Sequence, residues 1–175
     1  MKALSIWQPW ATLIIIGAKK IETRGRPTML HGENIAIHAS KSIAGFDSVK
    51  AMPWKQRHYI LDALRDAGYE DMRELPLGAV LGIAELVTCW HTEGLKSSSL
   101  LIPDDRKECE FAMGDFSDYR WGWYMRDPLR FDEPIPARGQ QGLWDWEVPQ
   151  VAYNTSGLSA RLARKPDDVP VWVRR

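Results

Sequence analysis

Residues Leu77 to Trp90 read LGAVLGIAELVTCW, with Glu85 as the only charge in the run. Side chains of a strand point alternately to opposite faces, and here both alternating sets are apolar. The segment therefore predicts a strand buried on both sides, which needs a covering layer above and another below. Gly78 and Gly82 inside it predict a bulge or a close approach of neighbouring backbone.

The rest of the chain supplies shorter elements around that strand. Lys2 to Ile6 alternates apolar and polar, as a short strand does. Pro9 suits a first helical turn and Gly17 a helix end, so a helix is expected over about residues 9–16. Lys19 to Thr23 returns to an extended pattern before the turn residues Gly25, Arg26 and Pro27, and Glu33 to His38 alternates again. Residues 41–75 change period. Val49, Met52, Tyr59, Leu61, Leu64 and Tyr69 recur at helical spacing around Pro53, which predicts a helical insertion on a β framework. Residues 91–118 are polar and acidic and are expected to form a long loop. Trp121 to Phe131 and Leu143 to Val148 read as strands, and residues 154–175 as a helix with a loosely held tail. The fold class is α+β.

At 175 residues the chain fits one domain, and area scaling buries about 70% of its surface, enough for a core without staples. Lys plus Arg and Asp plus Glu are 23 each, for a formal net charge of zero. A polyanion would have to be held by a local patch, and basic-tail binding is excluded. The two cysteines, Cys89 and Cys109, exclude a disulfide scaffold, and Cys89 reads as core. The apolar stretch Ala11 to Gly17 is too short to cross a bilayer, and the opening MKALSIWQPW has no signal-peptide pattern. A cytoplasmic protein without a membrane segment is expected. His31, His38, His58 and His91 are scattered, and no metal-ligand spacing, phosphate loop or GxSxG elbow occurs. No metal and no cofactor are expected.

Chemistry concentrates in two places. In Gly17-Ala-Lys19-Lys20-Ile21-Glu22-Thr23-Arg24, alternation sets Lys20, Glu22 and Arg24 on one face. A bend after Gly17 would turn Lys19 toward them. A cleft lining that meets phosphate or carbonyl oxygens and a solvated edge strand both fit these residues. Glu22 with Lys19 and Lys20 fits either an acid/base pair or a surface ion pair. The second place is Pro134 to Trp144, where Arg138, Gln140 and Gln141 sit among Gly139 and Gly142. This is either a loop that reads a base edge or a rigid turn between Trp144, Trp146 and the preceding strand. Nine tryptophans, among them the close pairs Trp7/Trp10, Trp121/Trp123 and Trp144/Trp146, suit cores, interfaces and base stacking alike.

These motifs together resemble the ASCH (activating-signal-cointegrator homology) family. Gly17, Lys19, Glu22 and Arg24 fill its GxKxxExR pattern, and SIWQPWATLI is similar to its first strand and helix. Gly78 to Gly82, the segment from Gly114 through Arg120 to Trp123, and Pro134 to Trp144 are similar to its later motifs. The likeness spans about residues 2–148 and divides the chain into a domain at 1–150 and a C-terminal extension at 151–175.

The resemblance implies a PUA-like fold, a small mixed β-barrel flanked by helices, with the insertion at about 41–75. It also implies a cleft beside the GxKxxExR segment for single-stranded RNA or a modified nucleoside, with DNA a further candidate ligand. Lys19, Lys20, Arg24, Trp7, Trp10, Trp123, Arg138 and Gln140 are the expected binding residues. One branch of the family hydrolyses N4-acetylcytidine with a Lys, a Thr and a Glu. Lys19 matches that lysine, Glu22 stands at the threonine position, and Glu110 is the candidate glutamate ahead of Glu108. Another branch is described as ribonucleolytic without a metal. Lys19, Glu22 and Glu110 are thus the expected catalytic set if the chain is a hydrolase. The expected function is binding first, hydrolysis second and a tryptophan-rich protein interface third.

Overall fold

The computed structural model describes residues 1–163. Six strands form one sheet: β1 (Lys2–Ile6), β2 (Ile21–Arg24), β3 (Glu33–Ala39), β4 (Ala79–His91), β5 (Trp121–Pro136) and β6 (Leu143–Asp145). Their order across the sheet is β2-β5-β4-β3-β1-β6. β1 and β3 run parallel and every other pair is antiparallel, so the sheet is mixed. The long strands β4 and β5 slip register between Val80 and Gly82, Ile83 and Glu85, and Leu86 and Thr88. Such bulges bend a sheet, and this one curls into a half-barrel whose end strands, β2 and β6, are not paired to each other.

β4 is buried on both faces, as its composition predicts. On one face Leu81, Ala84 and Leu86 pack with Leu4, Ile6, Ile35, Ile37 and Trp123. On the other, Val80 and Ile83 pack with Ala3, Ala36, Phe131, Trp144 and Trp146. The glycine at 82 is dictated by its neighbours, because a Cβ there would lie 2.2 Å from the Leu129 carbonyl oxygen.

Helix α1 (Trp10–Ile15) covers the first face through Ala11, Ile14 and Ile15. Its Leu13 turns outward into a helical layer with Phe46 and Val49 of α2 (Ala44–Ala51) and Ile60 and Leu64 of α3 (Trp54–Asp66). The segment 41–75 is therefore helical, as its spacing predicts.

Residues 91–118 depart from the expected loop and contain α4 (Thr92–Ser97) and α5 (Asp104–Ala112). Their few apolar residues decide the matter: Leu95, Leu101, Ile102 and Phe116 close over Ile21. Asp104 and Asp105 begin α5, where the helix dipole favours acidic residues. Two of the acids that suggest a loop are thus a helix start.

After β6 the chain makes a 3₁₀ turn at Gln150–Asn154 and a short helix, α6 (Leu158–Leu162). Leu158 and Ala152 join the second-face core. Arg161, 9% exposed, donates from Nε to Asn34 Oδ1 at 2.8 Å and from Nη2 to the Asp127 carbonyl at 2.9 Å. Residues 151–163 are thus packed onto the sheet, and the tail expected over the last residues lies outside those described. No helix of the described residues is long and apolar enough to cross a membrane.

Candidate nucleic-acid interface

Strand β2 pairs with β5 so that Glu22 stands opposite Trp123 and Arg24 opposite Trp121. Antiparallel partners share a face, so Glu22 and Arg24 lie on one side of the sheet and Ile21 on the other. Arg24 Nε lies 3.1 Å from Glu22 Oε1, and Arg24 Nη2 donates to the Ser5 carbonyl at 2.8 Å. Burial pushes the Glu22 carboxyl above its ordinary range, while Arg24, then Lys19, then Arg120 oppose that rise.

Lys19 precedes β2 and is 2% exposed. Its Nζ lies 3.4 Å from Glu110 Oε1 and 5.6 Å from the centre of the Phe116 ring. The Glu110 carboxylate also accepts the backbone N–H of Ile21 at 2.9 Å and that of Lys20 at 3.0 Å. Helix α5 therefore holds the entrance of β2 through one carboxylate. Glu108, two residues earlier on that helix, is exposed and interacts with Tyr59.

A cleft of about 1080 Å³ opens at the end of β1 and β3. Ser5, Trp7, Arg24, His38, Lys41 and the loop from Pro136 to Gly142 line it. Three of the lining residues carry basic side chains (Arg24, Lys41 and Arg138) and none is a carboxylate. Trp7 is 48% exposed, a flat face available at the rim.

The two sequence segments singled out for chemistry thus meet at Arg24 and the loop carrying Arg138 and Gln140. The remaining expected residues lie elsewhere. Lys19 and Lys20 border a smaller cavity of about 250 Å³ with Tyr124, Arg126 and Pro128. Trp10 is half-buried between α1's two packing layers. Trp123 is 6% exposed, and its indole N–H donates to the Arg26 carbonyl at 3.0 Å. Cys89 is half-buried against the first-face core. No group of three or more His, Cys, Asp or Glu side chains is placed to hold a metal ion among the described residues.

Sequence reasoning passed over Ser5 and His38. Ser5 stands opposite His38 in the parallel β1–β3 register, and its Oγ lies 3.1 Å from His38 Nδ1. His38 Nε2 faces the Ala137 carbonyl at 3.2 Å. The Trp144 indole N–H donates to Ser5 Oγ at 3.1 Å. A polar serine and histidine at alternate strand positions were the available signal, one residue from each of two separate strands.

The ASCH domain family model matches residues 4–134. The chain belongs to the ASCH family. The family is associated with RNA binding. Human activating signal cointegrator 1 is 28% identical over 142 residues, which are 81% of this chain and 21% of the human protein. The chain thus spans about a fifth of the length of that relative. The crystal structure of ASCH from Zymomonas mobilis is 16% identical, covers 90% of this chain and 94% of its own, and gives a TM-score of 0.48. A point mutant of that protein covers 87% and 93% at the same 16% identity, with a TM-score of 0.47.

Proposed function

We propose that this ASCH protein holds a short single-stranded RNA segment or a modified nucleotide in the cleft between β1, β3 and the 136–142 loop. One observation carries the reading: a chain of zero formal net charge gathers Arg24, Lys41 and Arg138 around one opening beside Trp7, with no carboxylate in the lining. Phosphate oxygens take the guanidinium and ammonium donors, and a base stacks on Trp7, whose π face accepts any base. Gln140 and Gln141 carry both donors and acceptors and supply contacts to a base edge.

Fluorescence anisotropy with a labelled short RNA, repeated at several salt concentrations, tests this. Arg24 already faces Glu22 at 3.1 Å, so the three cations neutralise about two to three phosphates, and log K should fall with log salt at a slope of roughly −1.4 to −2. Single-stranded RNA should bind more tightly than a duplex and should quench Trp7. Undetectable binding of RNA, DNA and nucleosides at low salt would sink the reading.

The second reading is hydrolysis of an N4-acetylcytidine-type amide at Lys19, Glu22 and Glu110. The contact of 3.4 Å between Lys19 and Glu110, with the desolvated Glu22 nearby, favours it. Turnover of N4-acetylcytidine that disappears in Lys19→Ala would support this set. Turnover surviving that change would assign the activity elsewhere.

A further inference from the structure

We infer that Ser5 and His38 form a nucleophile–base pair, and that the cleft hydrolyses a carboxylic ester carried on a nucleotide. The nucleotide part of the substrate rests on the binding reading above; the pair itself rests on its own geometry.

A nucleophilic serine needs a base within hydrogen-bond reach, and that base needs a third group to fix its tautomer. All three are present. The Ala137 carbonyl only accepts, so the His38 proton sits on Nε2, 3.2 Å away. The lone pair of Nδ1 then points at the Ser5 hydroxyl, which donates across 3.1 Å. The Trp144 indole N–H, 3.1 Å from Ser5 Oγ, is a neutral donor that steadies the oxygen as it gains charge.

Burial, joined by the charge of Lys41, holds the His38 imidazole below its ordinary range, although the Ala137 hydrogen bond works the other way. The ring is therefore a neutral base at neutral pH. Gly139 lies against the pair: a Cβ there would come within 2.3 Å of His38 Cε1 and 2.8 Å of Ser5 Oγ. The loop backbone consequently forms one wall beside the serine, with Arg24, Lys41 and Arg138 lining the same space.

The reaction balances with water alone. Ser5 Oγ attacks the ester carbonyl carbon while its proton passes to His38 Nδ1, and the carbonyl π pair moves onto oxygen, near the cations of the cleft. Collapse of that intermediate expels the alcohol oxygen, which takes the proton from Nδ1 and leaves an acyl group on Ser5. A water molecule gives a proton to Nδ1 and attacks the acyl carbon; Ser5 leaves, recovers the proton, and the carboxylic acid is released. Throughout, Nε2–H stays on the Ala137 carbonyl and steadies the transient imidazolium.

The test uses the full chain. A fluorophosphonate probe should phosphonylate Ser5, as located by peptide mass mapping, and Ser5→Ala should show no adduct there. In His38→Gln the side-chain amide can still donate to Ala137 but cannot take a proton, so labelling should slow by about a hundredfold or more. Labelling of the unmodified protein should also slow as pH falls and His38 becomes protonated, a readout that needs no variant. The same preparation should remove the acetyl group from 3′-O-acetyladenosine 5′-monophosphate, followed by mass spectrometry.

An unmodified protein that gives no Ser5 adduct, or a folded His38→Gln that labels at the original rate, overturns the pair. RNA binding measured on the same preparation separates the two proposals. A labelled protein that binds neither RNA nor nucleotide keeps the pair and loses the nucleotide substrate. A protein that binds RNA but resists the probe keeps the binding reading and loses the pair.

Discussion

Glu110 meets Lys19 in the interior, with Oε1 3.4 Å from Nζ, while the same carboxylate accepts the backbone N–H groups of Lys20 and Ile21. Each partner is almost fully buried, at 2% and 3% exposure. Removing one member of a buried pair leaves the other charge uncompensated, a loss of about 3–5 kcal/mol. Glu110→Ala should therefore lower the urea midpoint strongly. Glu110→Gln, which keeps an oxygen for the backbone donors, should cost less. Equal losses in the two variants would mean that the backbone bonds contribute little.

Arg138 and Arg24 line one cleft but are held differently, and their substitutions should separate binding from folding. Arg138 is exposed on the loop. Arg138→Ala should leave the melting temperature unchanged and reduce the salt slope of RNA binding by about 0.7, the share of one phosphate on a single strand. Arg24 also faces the half-buried Glu22 at 3.1 Å and holds the Ser5 carbonyl at 2.8 Å. Arg24→Ala should weaken binding and destabilise the fold together. A change in Arg138→Ala stability, or an unchanged slope, would contradict this division.

The position of His38 sets the sign of a pH effect. Burial holds its folded pKa below the ordinary imidazole range near 6.5. The unfolded chain therefore binds this proton more readily, and stability rises with pH through the window below about 6.5 and levels off above it. The groups facing the ring are Ser5, Trp144, the Ala137 carbonyl and the Lys41 charge. In urea unfolding followed between pH 5 and 8, the unmodified protein should lose stability toward the acid end. His38→Gln should remove that component of the slope. An identical acid slope in both proteins would assign the loss to other groups.

The strands were legible where one short window holds the signal. The apolar run of β4, the alternation of β1 and β3, and the glycine at 82 each follow from local patterning and steric demand. Helices α4 and α5 were not legible, because their burial depends on Leu95, Leu101, Ile102 and Phe116 meeting Ile21 from another part of the chain. The candidate site divides the same way. Alternation placed Glu22 and Arg24 on one face, and residue types singled out the Arg138 loop. Ser5 and His38 gained meaning only through the β1–β3 register, which no single window contains. Trp7 and Trp123 show why tryptophan counts do not locate a site: one is exposed at the rim of the cleft, the other packs in the core.

Arg161 ties the C-terminal segment to the sheet, and its removal should be felt far from α6. Its guanidinium donates to Asn34 Oδ1 at 2.8 Å and to the Asp127 carbonyl at 2.9 Å, and lies 3.9 Å from Glu85 Oε2. Glu85, 4% exposed, keeps Arg126 at 2.7 Å if Arg161 is lost, so its charge would not be stranded. The loss should accordingly stay below that of a fully broken buried pair, at about 1–3 kcal/mol, from the hydrogen bonds to Asn34 Oδ1 and the Asp127 carbonyl that Arg161 no longer makes. Arg161→Met, which retains the stem, should restore little of it, because hydrogen bonding rather than packing is removed. Leu158, three residues before Arg161 on α6, shares a core cluster with Trp146, so intrinsic fluorescence should report loosening there. An Arg161→Ala midpoint equal to that of the unmodified protein would make residues 151–163 an appendage instead of part of the domain.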